Sequence, residues 1–155
     1  MAAAPVNEDA ALAARLQKWA DGKATLKDVR GYSDEELFSI ARTGYFFFYQ
    51  GKLDQARTVF QGLYAINPTE PYFAKALGVV EMAAGNPVGA MAAYDVAVKI
   101  SPQDSGAYVG RAEVKLSQGQ KPQALEDLRK AAQVVGDDDA MKAKISAMLA
   151  TLSKK

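Results

Sequence analysis

The sequence predicts an all-α solenoid of three stacked helix pairs, flanked by a leader helix and a capping helix. The first observation behind this is a repeat: Gly51, Gly85 and Gly119 recur about every 34 residues, and Ala56, Ala90 and Ala124 recur in the same phase. The register then continues. Phe60, Tyr94 and Leu128 occupy equivalent places, as do Leu63, Ala97 and Ala131, and Pro68 and Pro102 fill a slot that holds Gly136 in the third copy. The third observation is helix punctuation at the same period, with Asn86-Pro87 and Pro122 where second helices begin. A period of this length marks units that cannot bury their apolar faces alone and must stack on one another.

Taken in order, residues 1–7 are small and carry no helix signal, which predicts a disordered tail. Residues 8–20 follow a helical pattern, with Leu12, Leu16 and Trp19 on one side and Arg15 and Lys18 on the other; Gly22 ends it. Residues 23–32 read as a connector, which completes a leader region at 8–32. Ser33 and Glu36 then form a capping box that opens the first repeat helix. The domain that follows spans 33–155, with repeats at 37–70, 71–104 and 105–138. Within each repeat the first helix stops at the recurrent glycine, where the left-handed geometry of a helix end costs least. Small residues at Gly44, Gly78 and Ala112 let paired backbones approach. Leu37, Ile40, Gly44 and Phe47 form the face expected to pack on the partner helix, and Phe46 is expected to pack on the leader. Arg111 and Lys115 stand where apolar residues belong, so the first helix of the third repeat is expected to be the softest element. Residues 139–152, with Met141, Ile145, Met148, Leu149 and Leu152 on one face, read as the cap; Asp137, Asp138 and Asp139 lie at its start and need no metal to explain them.

Composition excludes much else. Lys plus Arg number 19 against 18 for Asp plus Glu, which leaves nucleic acid little to attract. There is no Cys and no His, which removes disulfides, the usual metal ligands and the usual acid–base catalyst; no catalytic residue, cofactor or metal is expected. No phosphate-binding glycine motif is present. The N-terminal residues lack signal-peptide character and no stretch approaches the ~20 apolar residues of a membrane span, so a soluble, cytoplasmic protein without membrane insertion is expected.

The repeat resembles the tetratricopeptide family, best in the second copy, with Leu77, Gly78, Gly85, Ala90, Tyr94, Ala97 and Pro102. A narrower resemblance rests on the connector Leu26-Lys27-Asp28, Gly31 and Ser33-Asp34, followed by Phe48, Gly51-Lys52, Asp54, Ala56, Phe60 and Leu63. On these residues the chain is similar to the class II chaperones of type III secretion, the SycD/LcrH group. That resemblance implies a non-enzymatic chaperone that holds an extended segment of a hydrophobic translocator in a concave groove, and a leader segment used for dimerisation. The alternative is a general tetratricopeptide adaptor or a needle-subunit chaperone.

The groove expectation has its own basis in the residues. Phe38, Ala41, Tyr45, Phe48 and Tyr49 make a second apolar face on the first repeat helix, beyond what pairing with its partner requires. The counterparts are Tyr72, Lys75, Val79 and Met82 in the second repeat and Val109, Glu113 and Leu116 in the third, with Lys75 and Glu113 placed to fix peptide register. Three apolar anchors at about 1.5–3 kcal/mol each, set against an ordering cost of about 2–5 kcal/mol, give a short segment only weak affinity, around the micromolar range at best. Leu12, Leu16 and Trp19 are the candidate self-association stripe.

Overall fold

The structure, a computed structural model, describes residues 8–154. The tail expected at 1–7 lies outside the described residues. Those described form α1 (Glu8–Ala20), α2 (Leu26–Arg30), α3 (Asp34–Tyr49), α4 (Leu53–Ile66), α5 (Pro71–Ala83), α6 (Pro87–Ile100), α7 (Ser105–Ser117), α8 (Lys121–Val134) and α9 (Asp139–Ser153), with no strand among them. The boundaries follow from local chemistry. Gly51, Gly85 and Gly119 take positive φ of 75°, 73° and 73°, which turns the chain between the helices of each pair. Asn86 caps α6 by accepting from the Gly89 N–H at 3.1 Å, with Pro87 in the first turn. Ser33 and Glu36 cap α3 reciprocally.

The connector is more ordered than the sequence reading had it. Thr25 and Asp28 form a second capping box, and Gly31 closes the short helix α2 in the left-handed conformation. The Thr25 backbone and side chain both donate to the Asp28 carboxylate, which they hold below its ordinary pKa range.

Helices α3/α4, α5/α6 and α7/α8 pair, each pair packs on the next, and α9 closes the stack on α8 and α7. The buried register is small-on-large. Gly44 faces Phe60, and the Tyr94 ring lies between Gly78 and Gly110, where an added Cβ would stand 2.6 Å and 2.2 Å from it. The buried face of α3 is Leu37, Ala41 and Gly44. This corrects the expected packing face. Ile40 is exposed and Phe47 half-buried, because their counterparts one repeat on, Ala74 and Glu81, pack towards α4, whereas α3 has no preceding repeat to cover it. Phe46 is 60% exposed and is not covered by the leader, since α1 packs chiefly on α2.

Arg111 and Lys115, which stand where apolar residues were expected, converge on Asp127 of α8, a buried side chain. Arg111 approaches it with Nε at 2.9 Å and Nη2 at 2.7 Å, and Lys115 Nζ lies at 2.7 Å. Arg111 also donates to Asp95 of α6 at 3.0 Å, so one guanidinium bridges three helices. An analogous buried carboxylate, Glu81, accepts from Arg57 and Asn86 between α4, α5 and α6. Among the described residues no helix is long and apolar enough to cross a membrane, and no cluster of acidic residues is arranged to hold a metal ion.

Candidate functional site

Successive first helices α3, α5 and α7 present equivalent positions to the inner side of the stack, and there they enclose an open cleft of about 290 Å³. Its lining includes Tyr45 from α3, Tyr72, Lys75, Ala76 and Val79 from α5, and Gly106, Val109, Gly110 and Glu113 from α7. The capping helix adds Met141 and Lys144, and the Tyr94 ring reaches in from α6. At one end three aromatic rings meet, with Tyr72 5.3 Å from Phe38 and 6.2 Å from Tyr45. Burial pushes the Tyr45 phenol up, and the neighbouring Tyr72 hydroxyl adds to the shift. Burial, then the Glu113 charge, pushes Tyr94 up to about 12. Both phenols are neutral at physiological pH and bring hydroxyls to the cleft beside its apolar side chains.

Of the residues expected to form the groove, Tyr45, Tyr72, Lys75, Val79, Val109 and Glu113 lie together on this cleft. The others lie elsewhere. Ala41 is 1% exposed and belongs to the core cluster with Leu37, Ala56 and Phe60. The Phe38 ring packs at a tilt against Tyr72 and Phe73, outside the lining of the cleft. Phe48, Met82 and Leu116 occupy one register position, a turn beyond the cleft, and each is half-buried against a core cluster between helices. Tyr49 is 81% exposed at the end of α3, with only the Tyr45 and Phe48 rings beside it. Lys75 and Glu113 are neither free nor paired with each other: Lys75 binds Asp104 at 2.7 Å and Glu113 binds Lys144 at 2.8 Å. Leu12, Leu16 and Trp19 stay exposed along α1.

The sequence reading missed Ala76, Tyr94, Gly106, Gly110, Met141 and Lys144. The repeat itself held the signal for two of them, since Gly106 and Gly110 stand one period after Tyr72 and Ala76. No repeat register points to Met141 and Lys144, because the capping helix lies outside the period.

The tetratricopeptide repeat family model matches residues 42–105. No curated protein matches the chain by sequence. Among solved structures, the chain is similar to the type III secretion translocator chaperone SycD of Yersinia enterocolitica, with a TM-score of 0.79 and 21% identity over 83% of this chain and 98% of that one. The same chaperone in complex with a peptide of the translocator YopD gives 0.70 and 22% over 77% and 94%, and it has also been solved as an alternative dimer. A type III secretion complex from Aeromonas hydrophila gives 0.78 and 21% over 88% and 93%. These likenesses establish the fold: a tetratricopeptide-like solenoid with a leader and a capping helix.

Proposed function

We propose that this protein is a non-enzymatic cytoplasmic chaperone whose inner groove holds an extended segment of a hydrophobic secreted translocator, keeping that partner soluble and fit for export. The observation that carries the reading is the accessible surface of Tyr45, Tyr72 and Val79 over a buried floor of Tyr94 and Val109, which the stacking of the repeats leaves as an open cleft. An unpaired surface of this kind binds an extended chain well, because alternate side chains fill pockets while the phenol hydroxyls meet peptide polar groups. The solved complex of SycD with a YopD peptide supplies the partner class. Lys75 and Glu113, already paired with Asp104 and Lys144, frame the apolar stretch and set register by their position. The exposed stripe of Leu12, Leu16 and Trp19 supports a homodimer formed through the leader.

Co-expression with the translocator of the same secretion system tests this. The wild-type chain should carry the translocator into the soluble fraction and copurify with it. Val79→Glu should lose the partner, since a carboxylate in a water-poor contact costs about 2 kcal/mol or more. Its melting temperature should be unchanged, because the third repeat already carries Glu113 at the same register. Copurification unaffected by Val79→Glu would reject the groove as the binding surface.

A further inference from the structure

The face opposite the groove carries a second, smaller cleft, between α4 and α6 over α5. Its volume is about 160 Å³, walled by Tyr64, Leu77, Ala92 and Val96 and floored by Ala74 and Ala93. Being open to solvent and almost wholly apolar in its lining, it has room for one small apolar side chain. One repeat further on, the same register forms another cleft of opposite chemistry. Leu77, Ala92, Ala93 and Val96 become Arg111, Glu126, Asp127 and Lys130. The fold therefore accepts charge at all four places, and the apolar set is a property of this cleft alone. Along α6 the stripe extends through Val88, which is 73% exposed, Ala92 and Val96, and it ends at Lys99.

Positive charge lies next to the apolar cleft on the same face: Lys99 follows Val96 by one turn of α6, and Arg129 and Lys130 line the neighbouring charged cleft. Lys99, Arg129 and Lys130 are exposed and form no ion pair with any described residue, whereas Asp127 is fully engaged by Arg111 and Lys115. Glu126 is the one exposed carboxylate lining the charged cleft, so its rim is net positive. We propose that this outer cleft is a second protein-docking site, which takes a single leucine- or methionine-sized side chain from an acidic segment whose carboxylates meet Lys99 and Lys130. It is separate from the groove, so both faces can be loaded at once.

Fluorescence polarisation on the full chain tests this with labelled peptides GSELDEDSG, GSESDEDSG and GSELKKKSG. The first should bind, and the other two at least tenfold more weakly, one lacking the anchor and the other the acidic flank. Ala92→Glu with Val96→Lys, which installs the residues of the third repeat, should weaken GSELDEDSG at least tenfold; Lys99→Glu with Lys130→Glu should weaken it at least fivefold. Val79→Glu in the groove should leave it unchanged, which separates this site from the groove reading. Should the Ala92/Val96 double variant melt early, Val88→Lys on the exposed first turn must give the same loss. The proposal is overturned if GSELDEDSG does not bind, if its binding survives the outer-face variants, or if it is lost on Val79→Glu. It is equally overturned if the outer-face variants abolish self-association in sedimentation, since a second copy would then cover this face.

Discussion

The most constrained contact is Tyr94, whose ring touches the missing side chains of both Gly78 and Gly110 while its edge reaches the groove. Glycine at position 110 costs helix propensity of about 1 kcal/mol relative to alanine, so Gly110→Ala would stabilise an unconstrained helix. Here the new methyl meets the ring 2.2 Å away, and the ring has no retreat because Gly78 is in contact on its other side. Overpacking of this kind costs about 1–3 kcal/mol. Gly110→Ala should therefore lower stability in denaturant unfolding and weaken cargo together; a variant more stable than wild type would show that the ring moves freely. In the sequence, Tyr94 was legible as core and Gly110 only as a weak helix former. The link between them was hidden, because it joins helices of different repeats and the first copy has Arg42 at the position of Gly110.

At the scale of elements, charge placement was least legible. Arg111 and Lys115 read as losses of apolar packing, since nothing in the periodic pattern shows that Asp127, in the register of Ala93, lies opposite both. The caps of α3 and α6 and the glycine stops after α3, α5 and α7 were legible, being local chemistry. The helix α2 was missed although Thr25 and Asp28 spell a capping box, because so short a segment has no periodicity. Removing the Asp127 carboxylate leaves two cations facing each other in a partly buried site. Asp127→Asn should cost about 2–3 kcal/mol, and hydrogen exchange should speed across α7, α8 and α9 while α3 and α4 keep their protection, as nearest-neighbour stacking requires. Uniform acceleration along the chain would contradict this. Acid should act similarly. Burial alone would raise the Asp127 pKa, but the Arg111 and Lys115 hydrogen bonds outweigh it and hold the pKa below 3.8. A depressed carboxylate contributes stability above its unfolded pKa of about 3.9 and loses it as pH falls through the folded value. Wild type and Asp127→Asn should therefore converge in stability below that point, and a gap that stays constant down to pH 2 would exclude the linkage.

The leader shows the same contrast. Its helix was legible, and so was its stripe, but not that Leu12 and Leu16 would stay exposed while Trp19 shares a cleft with Ala65, Pro68 and Thr69 of the first repeat. Sedimentation should show a concentration-dependent dimer for the full chain and a monomer once residues 1–22 are removed. Equal masses in both would assign the stripe another role.

Across the whole molecule, the solenoid puts an apolar, phenol-bearing groove on its inner face and leaves the leader and the open end of α3 outside it. Half of the expected groove residues lie there because one register position per turn faces inward. Those at Phe48, Met82 and Leu116 do not, because their side chains are half-buried against the core clusters. The central claim is that an extended cargo segment occupies this groove. Chemical-shift mapping of the isotope-labelled full chain, titrated with the chaperone-binding segment of the copurifying translocator, tests it most directly. Shifts should concentrate at Tyr45, Tyr72, Val79, Val109, Glu113 and Lys144, with α4 and α8 quiet. Shifts concentrated on α1, or on the outer faces of α4, α6 and α8, would contradict it.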